Sequence, residues 1–186
     1  MTQSIVTALQ EKMGFTAFEK IDPNLPQDRT DLKLNPATNH YTQAAAITVL
    51  AGIYQCGSSI DGAAQLLEDK QEADLLQTIF GDREKDIINA VSYYGDKNIE
   101  TTTELMKKVA NEAVGVIKDS VGENVTSEKV VSYVTSQRHN IFVYLPPDLQ
   151  LGKLINDNSI DDVTNKMEGP VSSLMHFFEN MFAEKK

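Results

Sequence analysis

Glycines punctuate this chain at the ends of successive apolar patterns, and this feature limits the fold more than any other. Each glycine follows a stretch in which apolar residues recur every three or four positions, the spacing of one helix face. Glycine ends helices readily because it adopts the left-handed backbone that many helix C-termini require. We therefore predict an all-α fold, a compact irregular bundle of roughly seven to eight helices with a long irregular N-terminal arm. The terminating glycines are Gly14, Gly57, Gly81, Gly95 and Gly122.

One stretch competes with this all-α interpretation. Residues 141–145, IFVYL, cluster the β-branched and aromatic side chains that are typical of a buried strand. A strand needs a pairing partner, and no second run of this quality occurs in the sequence. Thr126 or Ser127 can cap a helix shortly before this run, and two prolines follow it. We expect residues 125–149 to form the closing helical segment of the core.

The length of 186 residues fits one domain of ordinary size. We predict that residues 1–37 form a helix and a proline-rich arm, 38–150 a helical core, and 151–186 a C-terminal helical extension. The arm cannot be helical throughout because it contains three prolines. We expect it to lie over the bundle; the alternative is an arm that binds a partner or exchanges with a second copy. The side chains that would pin it are Phe15, Phe18, Leu32 and Leu34.

Capping patterns predict where two of the core helices begin. Asp82 is placed to cap a helix over residues 83–94. Thr101 and Glu104 form a capping box, which predicts the start of a long helix that ends at Val121. The apolar stripe of this long helix is wide, so we expect it to pack against at least two neighbours.

Small residues mark two places where helices are expected to approach closely. Gly115 lies inside the long helix, where glycine costs about 1 kcal/mol relative to alanine, so a close helix crossing would compensate. Residues 42–55, TQAAAITVLAGIYQ, are rich in alanine and are predicted to form a central buried helix. They also motivate an alternative function, in which the bundle binds a small apolar ligand between its helices.

The charge and the cysteine content exclude some classes of function. The formal net charge of −10 opposes binding to the phosphates of nucleic acid. Cys56 is the only cysteine, so the chain cannot form an intramolecular disulfide. We expect its side chain to pack as a small buried apolar group. The N-terminus lacks the features of a signal peptide, and no apolar run reaches the length of a spanning helix. We predict a cytoplasmic protein without membrane insertion.

Motifs of catalysis and cofactor binding do not occur in the sequence. Ferritin-like metal sites use Glu-x-x-His pairs, and no histidine of this chain has a glutamate three residues before it. The sequence also lacks the His-Glu-x-x-His motif, a phosphate-binding loop and a Gly-x-Ser-x-Gly elbow. We predict no catalytic residue, no metal site and no cofactor, and the interpretation leans away from an enzyme. The residues three before His40, His139 and His176 are Ala37, Ser136 and Ser173.

The last predicted helix, residues 171–183, contains the most specific candidate for a functional surface. Its apolar face is rich in methionine and phenylalanine, the adaptable kind of surface used in interfaces. The alternative is that this helix docks on its own bundle. Membrane-surface binding is less favoured because the polar side lacks lysines. The predicted partner-binding residues are Leu174, Met175, Phe178, Met181 and Phe182. They predict a non-enzymatic protein-interaction or oligomerisation module.

Four short motifs follow one another over residues 61–149. They are Ile79-Phe80-Gly81, Tyr94-Gly95, Val114-Gly115-Val116-Ile117, and Gln137 with Ile141 before Leu145-Pro146. Their order and spacing resemble the YidB-like family of uncharacterised bacterial proteins. The chain departs from the family at Asn111, where the family tends to have a helix proline, and it lacks the family's Gly-rich linkers. The resemblance implies an all-α fold and no catalytic residue.

Overall fold

The computed structural model describes residues 3–20, 40–68 and 72–146. All regular secondary structure in these ranges is helical, so the predicted all-α bundle is confirmed. The predicted C-terminal helix lies outside the described residues. The helices are α1 (Ile5–Met13), α2 (His40–Gly57), α3 (Ile60–Leu67), α4 (Glu72–Phe80), α5 (Glu84–Gly95), α6 (Ile99–Val121), α7 (Ser127–Ser136) and α8 (Arg138–Phe142), with a 3₁₀ turn at Gly81–Arg83.

Helix α2 is the centre of the bundle, as its small residues predict. It packs against α3, α4, α5, α6, α7 and α8, and nearly all of its residues are buried. Gly52 allows a close approach, because a Cβ atom at this position would lie 2.4 Å from Cε1 of Phe80 and 2.5 Å from Cγ2 of Ile79. The small residue at this crossing is therefore explained by neighbouring side chains that occupy the space beside it.

Helix α6 is the second organising element, and it packs against α1, α2, α4, α5 and α7. The expectation that the long helix contacts several neighbours is confirmed. The predicted close helix crossing at Gly115 is wrong, because among the described residues a Cβ there would meet only the end of one side chain of α1. A Cβ at Gly115 would lie 2.9 Å from Nζ of Lys12.

Two predicted helix starts are wrong. Asp82 does not cap α5; it lies within the 3₁₀ turn, and α5 begins two residues later at Glu84. Thr101 and Glu104 do not form the capping box of α6, because Asn98 begins that helix and its side chain accepts a hydrogen bond from the Thr101 amide at 2.7 Å. The Asn98 side chain therefore accepts from the Thr101 amide, which the Glu104 side chain would have bound in a capping box.

The segment that closes the core is helical, so the strand alternative is wrong. The Thr126 side chain caps α7 by accepting from the Lys129 amide. Ile141 and Phe142 complete α8, and the chain then makes a turn before Leu145. The apolar run is buried because it packs within the helical core, where α8 contacts α1, α2 and α7.

Among the described helices, none combines the length and apolar character that crossing a membrane requires.

Candidate interaction surface

The five predicted partner-binding residues, Leu174, Met175, Phe178, Met181 and Phe182, lie outside the described residues, as does His176. The surface that the structure does describe is formed where the N-terminus meets the core. We call residues 3–20, which comprise α1 and the extended segment after it, the strap. The core surface beneath it, formed by α6, α8 and the side chains that bind the strap, is the seat.

Apolar burial holds the middle of the strap. Ile5, Val6 and Leu9 lie on one face of α1 and are at most 1% exposed. This face packs against α6 and α8. Full burial of such a side chain stabilises by about 1.5–3 kcal/mol, so these three residues are the main source of the strap's affinity for the seat. An isolated helix of nine residues is marginal in water, and α1 therefore depends on this packing.

Two buried glutamines hold the ends of the strap by its main chain. At the start, Oε1 of Gln137 accepts a hydrogen bond from the Ile5 amide at 3.0 Å. At the end, Oε1 of Gln43 accepts from the Glu19 amide at 2.9 Å, and its Nε2 donates to the Glu19 carbonyl at 2.8 Å. Both glutamines are 2% exposed, so these bonds satisfy amide groups that would be costly to bury alone.

Gln43 also connects the strap to the end of the core. Its Nε2 donates a second hydrogen bond, to the Tyr144 carbonyl at 2.8 Å. The Phe18 ring lies edge-on to the Tyr144 ring, with centroids 6.5 Å apart. One side chain of α2 therefore joins residue 19 to residue 144. The expectation that Phe15 and Phe18 pin the arm is confirmed, since both pack against the core; Leu32 and Leu34 lie outside the described residues.

Lys12 supplies the electrostatic contact of the strap. Its Nζ lies 3.3 Å from Oε2 of Glu112 and 3.6 Å from Oδ2 of Asp119, both on α6. Gly115 lies between these two acidic positions along the helix, and its missing side chain leaves room for the ammonium. The groups are partly exposed, so each pair contributes modestly and is screened by salt.

An open groove of about 780 Å³ runs between the strap and the C-terminal half of α6. Its lining is largely polar, and no group of three or more metal-ligating side chains occurs in the part of the chain that the structure describes. The ammonium of Lys12 already occupies the acidic side of the groove. The lining residues are Gln3, Ala8, Glu11, Lys12, Val116, Asp119 and Ser120.

Few large apolar side chains remain exposed on the described core. They lie at helix ends, and the most exposed is Tyr93 at 77%. Cys56 is buried, as predicted, and its thiol faces the carbonyls of Gly62 and Thr78 at 3.7 and 3.8 Å. The apolar residues of the described helices are therefore mostly covered by one another. The exposed ones are Ile60, Tyr93, Ile99 and Val125.

Two groups on α7 have shifted pKa values. The pKa of Glu128 is lowered, chiefly by a hydrogen bond from its own backbone amide at the helix start and also by the Thr126 side chain. Burial raises the pKa of Tyr133, and the nearby Ser120 side chain opposes that shift in part. Both shifts follow from local helix geometry and burial, and neither group lies in the strap or its seat.

Sequence reasoning did not find Gln43, Gln137 or Lys12 as contact residues. Their partners are distant in sequence; Gln137 and Ile5, for example, are 132 residues apart. One signal was present, because Gln43 interrupts an otherwise apolar helical run. A buried glutamine needs hydrogen-bond partners, which marks such a position as a contact with another segment.

Comparison with known proteins finds no match for this chain among family models, curated proteins or solved structures. The resemblance to the YidB-like family therefore stays a prediction from the sequence.

Proposed function

We propose that this protein is an interaction module that associates with a second copy through the apolar face of residues 171–182. The observation that supports this is the closure of the described core. Helix α2 is surrounded by α3–α8, and the strap covers the adjoining faces of α6 and α8. The described helices already bury most of their own apolar residues, and this favours another molecule as the partner of a terminal apolar face.

The charge of the last segment favours a second copy as the partner. The whole chain carries a formal net charge of −10, which opposes close approach of two copies. Residues 171–182 contain one carboxylate, Glu179, and no lysine or arginine. Two such segments can meet with little like-charge repulsion. Burial of phenylalanine, leucine or methionine contributes about 1.5–3 kcal/mol each, and several of these side chains lie on the face.

Static light scattering of the full chain over a concentration series tests the proposal. We expect a molar mass above the monomer value of 20.6 kDa for the wild type. The double variant Phe178→Ser with Phe182→Ser should return to the monomer mass. The matched control, Ser173→Ala with Asn180→Ala on the polar side of the same segment, should behave as the wild type. A wild type that is monomeric throughout, or equal association in both double variants, would contradict the proposal.

One observation bears on the alternative of a small ligand between the helices, and it would require an otherwise apolar ligand to carry one hydrogen-bonding group. The hydroxyl of Thr48 in α2 is fully buried and has no hydrogen-bond partner among the described residues. If this hydroxyl is simply unsatisfied, Thr48→Val should stabilise the fold by about 1 kcal/mol, since the substitution removes a buried polar group without a partner. If it contacts a ligand, native mass spectrometry should show a bound small molecule that Thr48→Val loses.

The cytoplasmic location, the bacterial origin implied by the YidB-like resemblance and the absence of catalysis are part of this proposal. They rest on the printed sequence, in which no apolar run reaches the length of a spanning helix and in which the common catalytic motifs do not occur.

A further inference from the structure

We propose that the seat also accepts the strap of a second copy, so that two chains can exchange residues 3–20. This contact is independent of the terminal apolar face. It uses a surface that the structure describes, and its occupant is defined by the contacts already present within one chain.

The seat recognises both ends of the strap through its main chain. Gln137 accepts from the Ile5 amide, and Gln43 binds the amide and the carbonyl of Glu19. These carboxamides fix where the strap begins and where it ends. A segment that supplies the same backbone positions makes the same hydrogen bonds, whichever chain it belongs to.

The middle of the strap fits the seat by shape and charge. Ile5, Val6 and Leu9 of α1 are buried. Lys12 pairs with Glu112 and Asp119 beside Gly115. The fit depends on the strap's own sequence from Ile5 to Lys12. A second copy carries that sequence, and so it satisfies every contact that the first copy makes.

The covalent connection between strap and core permits exchange. Residues 21–39 join the strap to α2, and nineteen residues can span up to about 60 Å when extended. The core has a radius of gyration of about 13 Å, expected for its size, so the connection is long enough to reach a neighbouring copy. The exchanged and unexchanged forms share the contacts that the strap makes with the seat, so the entropy of the connection contributes to the difference between them.

That entropy sets the concentration at which exchange occurs. A nineteen-residue connection that behaved as a random coil would hold the strap near its own seat at an effective concentration on the order of 1 mM. We therefore expect monomers after refolding at about 1 μM, and exchanged dimers in about half of the molecules after refolding near 1 mM. The dimers should persist after dilution for as long as the strap stays seated.

The experiment uses the full chain carrying Phe178→Ser and Phe182→Ser, so that association through the terminal face does not contribute. Equal amounts of ¹⁴N and ¹⁵N protein are unfolded together, refolded at either concentration and then diluted. A carbodiimide then couples the Lys12 amine directly to the carboxylate with which it pairs. Mass spectrometry of the digested dimer shows whether the two linked peptides carry the same or different isotopes.

We expect cross-linked peptides of mixed isotope in the dimer formed near 1 mM, and none in the monomer formed near 1 μM. The variant Lys12→Gln should lack these peptides, which confirms the assignment. Monomers alone after refolding near 1 mM, or a dimer in which Lys12 links only to its own isotope, would overturn the proposal. Since the terminal face is disabled here, failure of this test is separate from failure of the proposed function.

Discussion

Substituting Gly52 by alanine tests whether α2 is in direct contact with its neighbours. The new Cβ would lie 2.4 Å from Phe80 and 2.5 Å from Ile79, whereas carbon atoms pack at about 3.5–4.0 Å. Both neighbours are at most 1% exposed, so they cannot move aside into solvent. Overpacking of a core costs about 1–3 kcal/mol, and alanine returns about 1 kcal/mol of helix propensity. Because the separation is so short, we use the upper end of this overpacking cost and subtract the gain in helix propensity. We therefore expect Gly52→Ala to lower the free energy of unfolding by about 2 kcal/mol.

Gly115→Ala is the matched control, because it is the same change inside another helix of the core. Only the flexible end of Lys12 lies near the added Cβ, so we expect a gain of up to about 1 kcal/mol from helix propensity. Urea unfolding followed by far-ultraviolet circular dichroism measures both changes. If Gly52→Ala is as stable as the wild type, space exists beside α2. That result would refute the packing argument and support a ligand cavity.

Two further predictions concern local features of the fold. Asn98→Ala should lower the free energy of unfolding in urea by about 1 kcal/mol because it removes the cap of α6, whereas Thr101→Ala should lower it little. A larger loss for Thr101→Ala than for Asn98→Ala would indicate that Thr101 caps the helix after all. Burial raises the pKa of Tyr133, so the folded chain holds the phenol proton more tightly than the unfolded chain does. Its contribution to stability is present below about pH 10 and is lost as the pH rises further. Tyr133→Phe should therefore flatten the alkaline loss of stability, whereas Tyr93→Phe, at a 77% exposed position, should not.

The helices were predictable because their signals are local. Apolar spacing and a following glycine predict α1 and α6, and Gly14 and Gly122 do adopt positive φ angles at their ends. The wrong helix starts have the same local character. Asn98 and Thr101 can both cap a helix, and a sequence pattern alone does not say which of them binds the free amide.

The seat of the strap was not predictable, because its contacts join distant segments. Gln43 binds residues 24 and 101 positions away, and no periodic pattern records such pairs. Gly115 was the partial exception. Its cost to the helix implied a close neighbour, and the structure identifies that neighbour as Lys12.

The proposed association requires that the apolar face of residues 171–182 is not part of this chain's own core. The most direct test is the free energy of unfolding of Phe178→Ser with Phe182→Ser, measured at a concentration where light scattering shows the wild type to be monomeric. We predict a value within about 0.5 kcal/mol of the wild type, as for surface substitutions. A loss of about 3–5 kcal/mol for each phenylalanine, as expected for core positions, would show that the segment docks on its own bundle and would contradict the account.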